Sequence, residues 1–346
     1  MAGNSLRVAV VGAGILGASI AWSLARKGAR VTVFEREHSA GLGVTGHSYG
    51  WVGTASRLPS DNPGKFALEL QALGEFARLK QAIGPFPVAT QGALIWLDSH
   101  DESLAMLAEQ QAAGVNMTAI GREKLRELEP ALAHPPELAL WAPDEFAVEP
   151  RLLACRLLGA AQAQGAQLIE SAEVLAVELD GLRVSGVRTA VGTVPVDRVV
   201  LANAMGAQTL VTPLDVHLPI VEEPAVLLRF DAQPAPLRHL LYAQSLELRP
   251  GLGGGLFSAA DFPGHDRLDA LGQESLVAVR QLFRPGFELS LRSVQAVQRP
   301  KTVDGRPLCG FLPGFKGLYV AVAHPGVILA PFLGRLASAE ILGELN

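Results

Sequence analysis

The stretch from Arg7 to Glu35 limits the fold more than any other part of the chain. Arg7 to Val11 is an unbroken apolar run ending in glycine, Ile15 to Lys27 carries apolar residues at helical spacing among small ones, and Arg30 to Phe34 is a second β-branched run. Strand, helix and strand in that order make one βαβ unit. Gly12, Gly14 and Gly17 stand at its first turn as G-x-G-x-x-G. In such a turn the first glycine makes the bend, the second lets the backbone approach a pyrophosphate, and the third packs helix on strand. The helix start at Ile15 and Leu16 then points N–H groups at the phosphates. A glycine-rich turn alone is also an ordinary strand-to-helix connection. Glu35, followed by Arg36, stands at the end of the second strand, where a carboxylate accepts hydrogen bonds from ribose hydroxyls rather than being a plain solvated charge. The unit is therefore read as a dinucleotide site.

An ADP moiety is common to FAD and NAD, so this unit does not separate them. The next residues do more. Gly41 to Trp51 reads GLGVTGHSYGW, a polar, glycine-rich loop that includes Thr45, Gly46, His47, Ser48, Tyr49, Gly50 and Trp51. A flavin enzyme must pass its ribityl chain and ring at this point, whereas a nicotinamide dehydrogenase normally enters another helix.

Further along, strand Ala93 to Leu97 and helices Asp101 to Ala113 and Glu123 to Leu128 precede the prolines at Pro135 and Pro136. A nucleotide-type pattern then resumes, with helix Arg151 to Gln164 and strands Gln167 to Ile169, Val174 to Leu179 and Arg198 to Ala202. From Ala225 to Leu291 strands dominate: Val226 to Phe230, Ser245 to Arg249 and Leu256 to Ala259, with a helix near Glu274 to Phe283. Strand Leu318 to Val322 and a helix from Gly326 to about Leu342 end the pattern. The expected architecture is α/β: a Rossmann-type FAD-binding domain with an inserted, mostly antiparallel α+β substrate domain over a ligand pocket. Segments 1–85, 143–222 and 297–346 are expected to form the first, and 86–142 and 223–296 the second. With 49% hydrophobic residues in 346, there is ample material for two intimately packed cores.

Composition also removes function classes. The net charge of −5 with scattered basic residues argues against nucleic acid. The two cysteines, Cys155 and Cys309, have no C-x-x-C spacing and no histidine cluster, so neither a disulfide framework nor a metal site is expected. A strand begins within a few residues of the start and no apolar run reaches membrane-span length, so the expectation is a complete cytoplasmic protein without a transmembrane segment.

Several segments together resemble the FAD-dependent D-amino-acid oxidase superfamily, in particular its glycine and sarcosine oxidase branch. They are Val10 to Arg36, GHSYGW at Gly46 to Trp51, VEP at Val148 to Pro150, Gly165 to Glu178, VVLANA at Val199 to Ala204, and QRPKTVDGRPLCG followed by LYVAVAHPGVILAPFLG. The resemblance implies that Arg299 holds a substrate carboxylate and that the helix led by Pro325, Gly326, Val327 and Ile328 points its N-terminus at the flavin's pyrimidine edge. It also implies that Val174 touches the adenine end through its backbone and that Ala202 and Asn203 border the cofactor. Three departures stand out. No cysteine lies between Gln298 and Gly305, so FAD is expected to be non-covalent; Val199 to Gly206 lacks the family's small-small-glycine and aromatic; and Pro325, after His324, replaces a typical polar residue.

The chemistry expected is oxidation of a small amino acid or secondary amine at its CH–NH bond, with O₂ or another acceptor taking the electrons. A planar guanidinium suits a carboxylate, which makes Arg299 the anchor. A helix N-terminus answers negative charge on the reduced ring without an ionisable side chain. His47 and His324 lie in segments expected to face the flavin and are candidates for contact with cofactor or substrate; His217 and His239 are weaker ones. Tyr49 and Trp51 are expected to flank the ring or pack in the core, and Tyr242 to roof the pocket. Alternative readings are an FAD-dependent 2-hydroxy-acid dehydrogenase and a flavin-binding subunit of a heteromeric amine dehydrogenase. The sequence is compatible with a homo- or hetero-oligomer.

Overall fold

A computed structural model describes residues 5–344 of the chain. Strand Arg7–Val11 is buried at every position after Arg7. It lies inside a six-stranded sheet ordered Leu308–Phe311, Leu318–Val322, Arg198–Leu201, Arg7–Val11, Arg30–Phe34, Gln167–Ile169. Neighbours run parallel except the Leu308–Phe311 and Leu318–Val322 pair at one edge. Val8 and Val10 cluster with helices Ile15–Ala25, Pro150–Ala163 and Gly326–Ile341. Ala9 and Val11 cluster instead with Val177, Val184 and Val187 of a three-stranded antiparallel sheet. A parallel strand covered on both faces has to be apolar throughout, which is why Arg7 to Val11 reads as one run.

The second layer is a nine-stranded sheet. Its order is Glu288–Thr302, Ile220–Gln233, Leu256–Asp261, Leu246–Pro250, Leu240–Ala243, Val88–Trp96, Leu138–Val148, Trp51–Val52, with Thr118–Gly121 also paired to Leu138–Val148. Its pairs are antiparallel except that of Leu240–Ala243 with Val88–Trp96. Helix Leu268–Leu282 covers one face, burying Leu276 and Val279 against Leu228 and Phe230. The opposite face presents Ala225, Ala259 and Val297 to a cavity.

Most expected elements appear with ends moved by one to several residues, the helix near Glu274 starting earlier, at Leu268. Helix Pro63–Ile83 is an addition. Its apolar stripe of Phe66, Ala72, Phe76 and Leu79 is interrupted by the buried carboxylates Glu69 and Glu75, which blurs the helical period. Strand Glu288–Thr302 is a second addition: it is the sheet's edge, half exposed along most of its length and so mixed in character. Strands Leu138–Val148, Ile220–Gln233 and Glu288–Thr302 run without a break through positions 142, 222 and 296. Among the described residues no helix is long and apolar enough to cross a membrane, and no group of three acid, histidine or cysteine side chains could hold a metal ion.

Candidate active site

The carboxyl ends of the parallel strands face the open side of the large sheet across a cavity of about 620 Å³. At one end lies the phosphate turn. Gly12 has φ +99°, and a Cβ there would stand 2.8 Å from the Ala202 carbonyl oxygen, so only glycine fits. A Cβ on Gly17 would stand 2.0 Å from the Gly12 carbonyl oxygen, which fixes how closely helix Ile15–Ala25 sits on its strand. Glu35 is buried at the next strand end. Its Oε2 accepts from the Ala13 N–H at 2.8 Å and its Oε1 from the Glu37 N–H at 3.0 Å. The carboxylate thus ties both strand-end turns together while still lining the cavity.

The loop after Arg36 is held at four points. Thr45 Oγ1 accepts the Ile15 N–H at 3.0 Å, taking the role of the side-chain cap that Gly14 lacks. Arg229, from the large sheet, donates to the Gly46 carbonyl at 3.0 Å, and Arg249 donates to the Tyr49 carbonyl. Trp51 Nε1 donates to Glu145 Oε2 at 2.7 Å. Glu145 also receives the Thr54 and Ala55 N–H groups, and burial nevertheless pushes its carboxyl up to about 7. A short polar stretch can wrap a ligand because it is fastened at one point to the layer of the parallel sheet and at three points to the large sheet.

The far end of the cavity is rich in charge. Arg299, Arg57, Lys65, Glu247, Tyr49 and His324 all line it. Arg299 pairs with Glu223 at 2.9 Å, and Glu223 also takes Lys301 at 2.7 Å, interactions that hold its carboxyl below the usual range. Arg57 pairs with Glu69, which lies 4.0 Å from Lys65. Burial, reinforced by the Arg299 and Lys65 cations, drives His324 down to about 4, so its ring is neutral at neutral pH. Burial raises the Tyr49 phenol well above its ordinary value, with Glu247 adding to the shift. The Tyr49 hydroxyl, the Arg299 Nε and the Asn203 Oδ1 are buried without a partner. Buried polar atoms of that kind mark where a ligand's groups belong.

The sequence model of the family described as FAD dependent oxidoreductase matches residues 7–340. The chain belongs to this family. Glycine oxidase from Pseudomonas aeruginosa (strain PAO1) is 29% identical to it over 362 residues, covering 99% of this chain and 94% of that protein. Among solved structures, glycine oxidase from Bacillus cereus ATCC 14579 superposes with a TM-score of 0.83 at 21% identity, covering 99% of this chain and 96% of the other. Iminodiacetate oxidase from Chelativorans sp. BNC1 gives a TM-score of 0.83 at 22% identity, with 97% and 95% covered.

The residues of this FAD dependent oxidoreductase fit its cofactor. The glycine turn, the buried Glu35, the unpartnered Asn203 amide oxygen and the uncapped start of helix Gly326–Ile341 share one cavity wall. Gly12, Gly14, Ile15, Leu16, Glu35, Arg36, Thr45, His47, Ser48, Tyr49, Gly50, Trp51, Val174, Ala202, Asn203, Pro325, Gly326 and Val327 line the cavity, as do Arg299 and His324. Four expected residues do not. Gly17 and Gly46 shape the backbone behind it, a Cβ on Gly46 meeting the Gly41 carbonyl oxygen at 2.7 Å. Ile328 is turned into the core between helices, since its place in the first helical turn faces away from the opening. Tyr242 also lies outside the lining, which corrects the expectation of a pocket roof. It packs with the apolar cluster around Ile95, and Glu247, its cross-strand partner, is the residue that reaches the cavity.

His239 is occupied by Glu129 at 2.8 Å, and neither it nor His217 lines the cavity. Arg249, another guanidinium in the same sheet, is fully buried and paired with Glu149 at 2.9 Å. Arg57, Lys65, Glu223 and Glu247 were not among the expected residues. Strand alternation carried the signal for Glu247, two residues before Arg249, and for Glu223 only the register with Arg299 reveals it.

Proposed function

We propose that this protein oxidises the CH–NH bond of an amino acid or secondary amine, with Arg299 holding the substrate carboxylate. The observation that carries the reading is the position of Arg299. It lines the cavity at the end away from Glu35 and keeps a buried, unpartnered Nε although Glu223 takes its terminal nitrogen. A planar fork half engaged by Glu223 is fixed in orientation and still has N–H groups to offer a carboxylate. The names of the relatives, glycine oxidase and iminodiacetate oxidase, concern substrates of this same build.

Bound FAD supplies the hydride acceptor. The chain's residues do the positioning. Arg299 fixes one end of the substrate, so that its α-hydrogen is presented in a single pose. As that hydrogen departs with its electron pair, the nitrogen becomes an iminium. Helix Gly326–Ile341 begins at the cavity without a side-chain cap, so its first N–H groups answer negative charge there. His324, neutral because it is buried among cations, adds no competing charge. Tyr49 remains a phenol and keeps its hydroxyl as a hydrogen-bond donor.

The experiment is anaerobic mixing of the purified, FAD-loaded protein with glycine, sarcosine, D-amino acids and 2-hydroxyglutarate. Bleaching of the flavin band by one or more amines is the expected result. Bleaching by the hydroxy acid alone, or by none of these compounds, overturns it.

A further inference from the structure

The substrate end of the cavity holds one charged side chain without a direct partner among the described residues. Arg57 and Lys65 face Glu69, and Arg299 shares Glu223 with Lys301. Glu247 lines the same cavity and makes no hydrogen bond or ion pair with any described residue. Beside it the Tyr49 hydroxyl is buried without a partner. Burial raises the Glu247 carboxyl above its ordinary range, while the Arg57 and Arg299 guanidiniums work against that shift.

Glu247 and Arg299 lie on strands separated by two others, Ile220–Gln233 and Leu256–Asp261. Three strand spacings amount to roughly 14 Å across the sheet. The floor between them is made of Ala225, Ala259 and Val297, small or apolar side chains that leave the space open. Both charged side chains line this trough, near enough for the Arg299 guanidinium to act on the Glu247 carboxyl.

We propose that the substrate is an amino acid bearing a second, cationic group, and that Glu247 binds that group while Arg299 holds the carboxylate. This rests on the amino-acid oxidation proposed above and adds the substrate class. A carboxylate removed from water is costly until an opposite charge meets it. A ligand ammonium or guanidinium supplies that partner; an apolar side chain covers the half-buried carboxylate without pairing it; a second carboxylate is repelled. Discrimination then comes as much from rejection of the wrong ligand as from attraction of the right one. The Tyr49 hydroxyl oxygen accepts from the cation at the same place and turns it toward Glu247.

Lysine and norleucine differ at the end of the side chain, where one carries an ammonium and the other a methyl group. Anaerobic stopped-flow reduction of the FAD-loaded protein with both, each as the D and the L form, gives the ratio of the two efficiencies. The expected ratio favours lysine by about tenfold or more, the scale of one charge-assisted hydrogen bond. In Glu247→Gln that ratio should fall toward one, and in Glu247→Arg it should fall below one while 2-aminoadipate, added as a third substrate, overtakes lysine. A purely structural role would slow all substrates together and leave the ratio where it was, which overturns the proposal. So does a wild-type ratio near one. Equilibrium titration of the flavin absorbance with lysine and norleucine reads the same preference without turnover. If no amine reduces the flavin, the amine-oxidation reading fails, and this titration still tests Glu247: equal affinity for the two ligands sinks its role.

Discussion

The two ends of the cavity are built on opposite plans. At the glycine-turn end, the cavity lining is backbone or tied to backbone: Gly12, the start of helix Ile15–Ala25, and Glu35 with both oxygens taken by N–H groups. At the substrate end it consists of long charged side chains, and two of the three buried unpartnered atoms in the cavity lining, the Tyr49 hydroxyl and the Arg299 Nε, lie there. A cofactor that never changes is suited by a rigid cradle whose lining is mostly satisfied within the chain. Selectivity is left to side chains whose partners are completed by the ligand. The first plan should fail as a unit and the second one residue at a time.

The largest effect should come from Gly17→Ala. Its new Cβ would be driven to 2.0 Å from backbone, which has no rotamer to yield, so a loss of more than about 3 kcal/mol is expected. Thermal unfolding and flavin content of the purified variant give the answer; a stable, yellow variant would show that the turn can open to admit the methyl group. Next comes Arg299→Lys, which should keep FAD but lower amine-driven flavin reduction by about a hundredfold, since lysine retains the charge without the planar fork. Parental reduction rate and saturation in stopped flow would remove Arg299 from the site.

Glu35→Ala should weaken FAD binding by about tenfold or more and also lower the melting temperature of the apoprotein, because the Ala13 and Glu37 N–H groups lose their acceptor. An effect on binding alone would mean that the carboxylate is not structural, contrary to the plan described for this end. A pH-dependent effect is expected from Glu145, whose carboxyl moves from its ordinary 4.5 up to about 7 through burial. The folded protein holds this proton more tightly than the unfolded chain, so its contribution is present at about pH 4.5 and is lost as pH rises to about 7, on the order of 3 kcal/mol in all. Melting curves across that window should show the decline in the parent and its absence in Glu145→Gln. Smallest of all is Cys309→Ser. Cys309 lies outside the cavity lining, with its Sγ 3.3 Å from the Tyr319 hydroxyl, so acid precipitation should release free flavin from parent and variant alike.

How much of each end could be read from sequence follows the same division. The phosphate turn and Glu35 lie within one local βαβ unit, where spacing along the chain fixes spacing in space. The substrate end gathers residues from Tyr49 to His324, and its geometry depends on sheet register. Tyr242 shows the limit well. It faces Glu247 directly across a strand pair, yet the cavity stops at Glu247, so a reading without register misses by one strand. Helix Pro63–Ile83 stayed hidden for a related reason: Glu69 and Glu75 are buried against arginines from elsewhere, and their polarity erases the apolar period.

The order of the parallel sheet also has a consequence in time. Arg7–Val11 waits for Arg198–Leu201, which in turn waits for Leu318–Val322, and the cradle is closed by the helix that follows. At about 5–20 residues per second, a ribosome delivers the last of these on the order of tens of seconds after the first. Through that interval the phosphate turn exists as sequence only, and a strand destined to be covered on both faces is uncovered on both. The flavin cradle is therefore complete only after nearly all of the chain has emerged.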